Sequence, residues 1–119
     1  MAQVSITNAT LAYNAATAVP TATACTSATD GAAIDYTGKE DGRILLILNN
    51  KAASGSINAK ILKGNGLQGT ADLTIAITAA TPKAIVVESG KFVNVSGTNK
   101  GKLIVNGSTD LTVIAIELP

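Results

Sequence analysis

The chain has 119 residues, 46% of them hydrophobic and only 14% charged, with a formal net charge of +1. That length suits one domain with one core, and the balanced charge offers no basic excess to displace counterions from a phosphate backbone, so nucleic acid is not an expected partner. There is no histidine and a single cysteine, Cys25, which removes Cys–His catalysis, the usual zinc sites and any internal disulfide.

From the N-terminus, Met1 to Ile6 carries neither a basic start nor a long apolar stretch, so synthesis in a host cytoplasm without a signal peptide is expected. No apolar run reaches the roughly 20 residues of a membrane helix, and no membrane partner is expected. Val4 to Thr7 and Asn8 to Tyr13 have the composition of short strands. Ala15 to Ala33 is rich in Ala and Thr, with Pro20 in its middle, and continues an extended arm that is partly strand and partly loop. No charged side chain precedes Asp30. Residues 1–34 therefore read as an N-terminal arm with one or more edge strands, and residues 35–119 as the core of the domain. The arm has two readings: ordinary edge strands of the same domain, or a segment laid against a partner, adding a strand to it or to a neighbouring subunit. In the second reading Val4, Ile6, Leu11 and Tyr13 are the partner-binding candidates. Cys25 lies among small neutral residues with no cation near in sequence, as a buried structural thiol would.

The core segment is dominated by strand periodicity. Arg43 to Asn49 is a continuous apolar run of strand length, as a central strand requires. A strand follows over Ser56 to Leu62. Asp72 to Thr78 alternates strictly, with Leu73, Ile75 and Ile77 on one face and Asp72, Thr74 and Thr78 on the other. Lys83 to Glu88 and Lys102 to Asn106 are further strands. Leu111 to Glu117 alternates too, but Ile114 and Ile116 make its second face apolar, as for a strand covered on both sides. Turn signals separate these runs, among them Ser54-Gly55, Thr81-Pro82, Ser96-Gly97 and Asn106-Gly107-Ser108. Short strands at this spacing predict an all-β domain, an antiparallel β-sandwich of jelly-roll-like type with an extended N-terminal arm.

Few residues point to chemistry. Gly64-Asn65-Gly66-Leu67-Gln68-Gly69 fits G-x-G-x-x-G, with Glu88 about twenty residues on. A dinucleotide site needs a helix after the glycines to face the pyrophosphate, and here the alternating strand from Asp72 follows instead. The loop therefore reads as a strand connection, and no cofactor is expected. Asp35 to Gly42 lacks the calcium-loop spacing and includes Lys39, so no metal is expected either. The carboxylates Asp30, Asp35, Glu40, Asp41, Asp72, Glu88, Asp110 and Glu117 mostly border turns or polar faces. Glu117 alone sits on an otherwise apolar strand face. Serine lacks a histidine base, and no catalytic residue is assigned.

The segments Asp41 to Asn50, Ala59 to Gly69, Ile85 to Phe92 and Gly101 to Pro119, in that order, resemble small head-decoration, or capsid-cement, proteins of tailed bacteriophages. The resemblance spans residues 35–119 and rests on segment order. It implies a sandwich or jelly roll that clamps the outer face of a capsid, often as trimers at local threefold positions, with the major capsid protein as partner and the virion surface as location. It transfers no site residues. The expected function is thus structural and non-catalytic: capsid binding and stabilisation. The alternatives are a tail, fibre or pilus-like subunit that polymerises, a ligand- or carbohydrate-binding module, for which exposed aromatics are lacking, and a small enzyme.

Overall fold

The structure is a computed structural model that describes residues 3–25, 31–37 and 42–119. Its strands are β1 (Val4–Ile6), β2 (Ala9–Thr10), β3 (Thr23–Ala24), β4 (Ala32–Asp35), β5 (Ile44–Asn50), β6 (Ser56–Ile61), β7 (Leu73–Thr78), β8 (Lys83–Ile85), β9 (Lys102–Asn106) and β10 (Leu111–Glu117). One four-residue helix, α1 (Ser89–Phe92), lies between β8 and β9. The strands form two sheets, β1-β4-β9-β6-β7 and β2-β10-β5-β8, with β3 also paired to β10. We refer to them as the first and second sheet.

Both sheets turn an aliphatic face inward. Ile34, Ile61, Ile77, Leu103 and Val105 from the first sheet join Ile44, Leu46, Leu48, Leu111 and Val113 from the second in one buried cluster. Alternation explains the sorting. Along β5, Ile44, Leu46, Leu48 and Asn50 are buried and the residues between them only half-buried. Asn50 is the polar member of that inward row, and its amide is satisfied there. Nδ2 donates to Ile77 O at 3.2 Å, and Oδ1 accepts from Ala52 N at 3.0 Å, which ties the end of β5 to β7. Two mixed sheets around a common core make an all-β fold, an arrangement consistent with a β-sandwich.

The sequence leads to the right elements from residue 44 onward, where each expected run contains a strand. The last of the Lys83 to Glu88 run differs: β8 stops at Ile85, and Val87 beyond it turns into the core. Two features depart from expectation. First, the sheets are not purely antiparallel. β1 pairs with β4 in parallel, Val4 opposite Ala32, and β2 pairs with β10 in parallel, Ile116 opposite Ala9. Hairpins force antiparallel neighbours, but β1 and β4 are separated by a long excursion through the second sheet, which lets the chain re-enter running the same way. Second, the arm was expected to add edge strands, yet β4, which straddles the boundary between arm and core, is an interior strand between β1 and β9 with Ala32, Ala33 and Ile34 buried. Its entry demands glycine. Gly31 has φ +65°, and a Cβ there would run into the Val105 carbonyl oxygen.

Candidate interaction surface

Cys25 is used structurally. Cys25 is 2% exposed. Its backbone N–H donates to Leu111 O at 2.9 Å, and its Sγ lies 3.8 Å from Val105 O. Burial pushes the thiol up from its ordinary 9.0 to about 11, so it stays protonated and unreactive at neutral pH. No group of three or more His, Cys, Asp or Glu able to hold a metal occurs among the described residues. Asp30, Glu40 and Asp41 lie outside those residues, as does the middle of the Asp35 to Gly42 loop. Asp35 Oδ1 accepts from Thr37 N at 2.8 Å, an Asx turn.

The glycine-rich loop connects β6 to β7 and is braced against α1 and the segment after it. Gly64 N donates to Lys91 O at 2.9 Å, Val95 N donates to Asn65 Oδ1 at 2.7 Å, and Asn65 Nδ2 donates to Ser96 O at 3.0 Å. A Cβ on Gly64 would sit 2.6 Å from Val93 O, and one on Gly69 would overlap the Gly64 carbonyl oxygen. These glycines are therefore required for backbone-to-backbone packing. The same brace holds Leu67 fully exposed at the loop tip.

A cleft of about 310 Å³ opens on the outward side of the first sheet, where β6 and β9 diverge, lined by Asn58, Lys60, Leu62, Asp72, Asn106 and Ser108 among others. Its carboxylate, Asp72, accepts a 2.8 Å hydrogen bond from Lys63 N. That bond fixes the start of β7 and leaves the cleft with amide, hydroxyl and ammonium groups around one anchored carboxylate.

The outward sides of the two sheets differ in character. On the first sheet Ser5, Asn58, Lys60, Thr74, Ala76 and Thr78 are exposed and mostly polar. On the second sheet the outward residues of the two central strands are Leu45, Ile47 and Asn49 from β5 and Thr112, Ile114 and Ile116 from β10. Ile116 lies directly opposite Leu45, and Ile114 opposite Ile47. These four aliphatic side chains are half-buried, flanked by Ala9 of β2 and Ala84 of β8. The strand expected to be covered on both sides is thus fully covered on one. Thr112 is buried on the other face while Ile114 and Ile116 keep partial access.

Beside this face runs the N-terminal excursion. β2 and β3 both pair with β10, and residues 11–22 leave the sheet between them. Leu11 N still donates to Glu117 O at 2.9 Å, which extends the β2 ladder by one bond. Beyond it residues 12–19 are all exposed, with a turn at Asn14 in a positive-φ conformation (φ 60°). Tyr13 and Val19 project 78% and 70% exposed.

The four candidates from the arm are therefore distributed along a gradient. Ile6 is buried in the core and Val4 packs against it. Leu11 is half-buried, and Tyr13 is open to solvent. Leu11 and Tyr13 follow β2 at the edge of the second sheet, where Leu11 N bonds to Glu117 O; Val4 and Ile6 belong to the first. Leu45, Ile47, Ile114 and Ile116 form the aliphatic face of the second sheet, and Val19 is exposed in the excursion at its edge. The alternation of Leu111 to Glu117 and the unbroken apolar run in β5 were the signals for the four strand residues, because each places apolar residues on both sides of a strand. Comparison with protein-family models, curated proteins and solved structures found no match to this chain. No helix among the described residues is long and apolar enough to cross a membrane.

Proposed function

We propose that this protein is a non-catalytic structural protein that binds the outer surface of a bacteriophage capsid and stabilises it, with the major capsid protein as partner and the virion surface as its location. The observation that carries the reading is the uncharged surface formed by residues 11–22 and the outward face of the second sheet. Residues 11–22 contain no charged side chain, present Tyr13 and Val19 to solvent, and leave from and return to the β10 edge of the sheet that carries the aliphatic row Leu45, Ile47, Ile114 and Ile116. A surface of this kind binds by excluding water from apolar area and by exchanging neutral hydrogen bonds. A stable contact needs about 800 Å² per partner, within reach of a sheet face plus a twelve-residue flanking segment. Repetition over a symmetric shell then multiplies a modest contact. On this reading the two sheets are the sandwich or jelly-roll body, and the excursion is the part of the arm that touches the shell.

The test is co-sedimentation of the purified protein with phage particles from its source. Saturable co-migration with DNA-filled heads, reduced by Tyr13→Ala and Leu45→Ser, is the expected result. Protein that remains unbound at the top of the gradient at every concentration refutes capsid binding.

A further inference from the structure

The open edges of the two sheets are not alike. β1 and β8 have three residues each and β2 has two. Such short edges present few free backbone groups to another chain, and β8 additionally begins at Lys83. β7 is the exception. It has six residues, Leu73-Thr74-Ile75-Ala76-Ile77-Thr78, with no charge and no proline, and among the described residues it ends its sheet with β6 on one side only. On its inward face Leu73 and Ile75 are only half-buried, although Ile77 beside them is fully so.

The direction of its free groups follows from the ladder. Ile77 is opposite Ile57, and Ala79 N donates to Gly55 O at 2.9 Å, so the odd-numbered residues of β7 direct their N–H and C=O toward β6. Thr74, Ala76 and Thr78 direct theirs to the open edge. The carbonyl of Thr78 is already taken by Thr81 N at 3.0 Å. What remains intact is a donor and an acceptor on both Thr74 and Ala76.

We infer that β7 pairs with β7 of a second copy of this chain, antiparallel about a twofold axis at Ile75. In that register Thr74 meets Ala76 of the second copy and Ala76 meets its Thr74, so all four free donors and acceptors on each side are matched. Ile75 meets itself, and Leu73 meets Ile77, which completes an aliphatic row on the inward face. Asp72 comes opposite Thr78, so no like charges face each other across the junction. A shift by one residue would set the outward-directed groups of one strand against inward-directed groups of the other; a shift by two would bring in the occupied Thr78 carbonyl in one direction, and in the other would set Ala76 against Asp72, which lies before the strand begins. The strand is thus self-complementary in hydrogen bonding, side-chain polarity and charge, which is what a twofold contact requires. The inference stands independently of capsid binding, and a twofold edge contact builds even-numbered assemblies, in contrast to a closed trimer.

Sedimentation equilibrium tests it. The wild-type chain should sediment with twice its 11.9 kDa mass. Thr74→Lys/Ala76→Lys places like charges opposite each other in the dimer while occupying exposed positions in the monomer, and should halve the mass while leaving the far-ultraviolet circular dichroism spectrum unchanged. Mixing that variant with Thr74→Glu/Ala76→Glu should restore the doubled mass at low salt. Independently, Ile75→Cys should cross-link to its own counterpart on oxidation, because the facing Cα atoms of a non-hydrogen-bonded pair lie about 4.5 Å apart. A monomeric wild type at all concentrations, an oligomer indifferent to the double lysine variant, or an Ile75→Cys chain that does not cross-link overturns the inference.

Discussion

Adjacent leucines on β5 should behave in opposite ways. Leu46 is fully buried between the sheets, whereas Leu45 faces outward opposite Ile116 and is half-buried. Truncating Leu46 to alanine removes the transfer energy of its lost methylenes and leaves a cavity, a cost of about 3 kcal/mol within the usual 2–5 for such changes. With an unfolding entropy of roughly 2.1 cal/mol/K per residue over this chain, that corresponds to a fall in Tm of about 12 °C. Leu45→Ser removes area that is already partly wet and leaves no closed cavity, so its cost should stay below about 1 kcal/mol, or roughly 4 °C. Particle binding should invert the order: Leu45→Ser binds weakly while folded, and Leu46→Ala binds normally below its lowered Tm. Circular dichroism melts on both variants, followed by co-sedimentation, measure each half. Equal destabilisation by the two substitutions would mean that the outward face is packed by the chain itself, and the surface would lose its claim to a partner.

Tyr13→Ala and Val19→Ser touch side chains that project into solvent. They should shift stability by no more than about 0.5 kcal/mol in urea unfolding while reducing capsid binding. Deleting residues 3–14 should by contrast lower Tm sharply, because it removes Ile6 from the core together with both parallel ladders. Gly69→Ala must displace the Gly64 carbonyl. A loss of about 1–3 kcal/mol by chemical denaturation is expected, and an unchanged midpoint would show that the glycine loop is not braced as described. Cys25 should resist thiol reagents in the folded protein and react at once in denaturant. Its folded pKa is raised from 9.0 to about 11. As pH climbs between those values the unfolded chain releases the proton first, so stability should fall over that window. Cys25→Ala should remove that part of the pH dependence, read from melts at successive pH values.

Much of the fold was legible because β-structure writes a period of two into its residues. Leu73, Ile75 and Ile77 announce β7 and its inward face, and the turn residues between runs mark where each strand stops. The glycine loop was legible as well. A strand pattern follows Gly69, so no helix terminus could face a phosphate, and the structure shows the same glycines occupied by backbone contacts with Val93 and Gly64. Two elements, and the direction of two others, were not legible. β4 is built on Ala32 and Ala33, whose small side chains carry little periodic signal and are buried because the neighbouring strands close around them. β3 has two residues and exists only through its pairing with β10. The direction of β1 and β2 depends on the path of the chain between them and β4, which no local pattern encodes.

The division at the candidate surface has the same origin. Composition and alternation determined that this is a low-charge, all-β chain with more apolar strand faces than one core can hold. Which of those faces is enclosed is a property of pairs of strands distant in sequence. In the run Ile44-Leu45-Leu46-Ile47-Leu48 every residue is equally apolar, and only the packing of β5 against the first sheet sends Ile44, Leu46 and Leu48 inward and leaves Leu45 and Ile47 to the outside. Likewise Val4, Ile6, Leu11 and Tyr13 read as equivalent members of an arm until the ladder with β4 draws the first two into the core and the turn at Asn14 turns Tyr13 out. Hydrophobicity is a property of each residue. Burial is decided by which other strand arrives to cover it, and that is settled by long-range pairing alone.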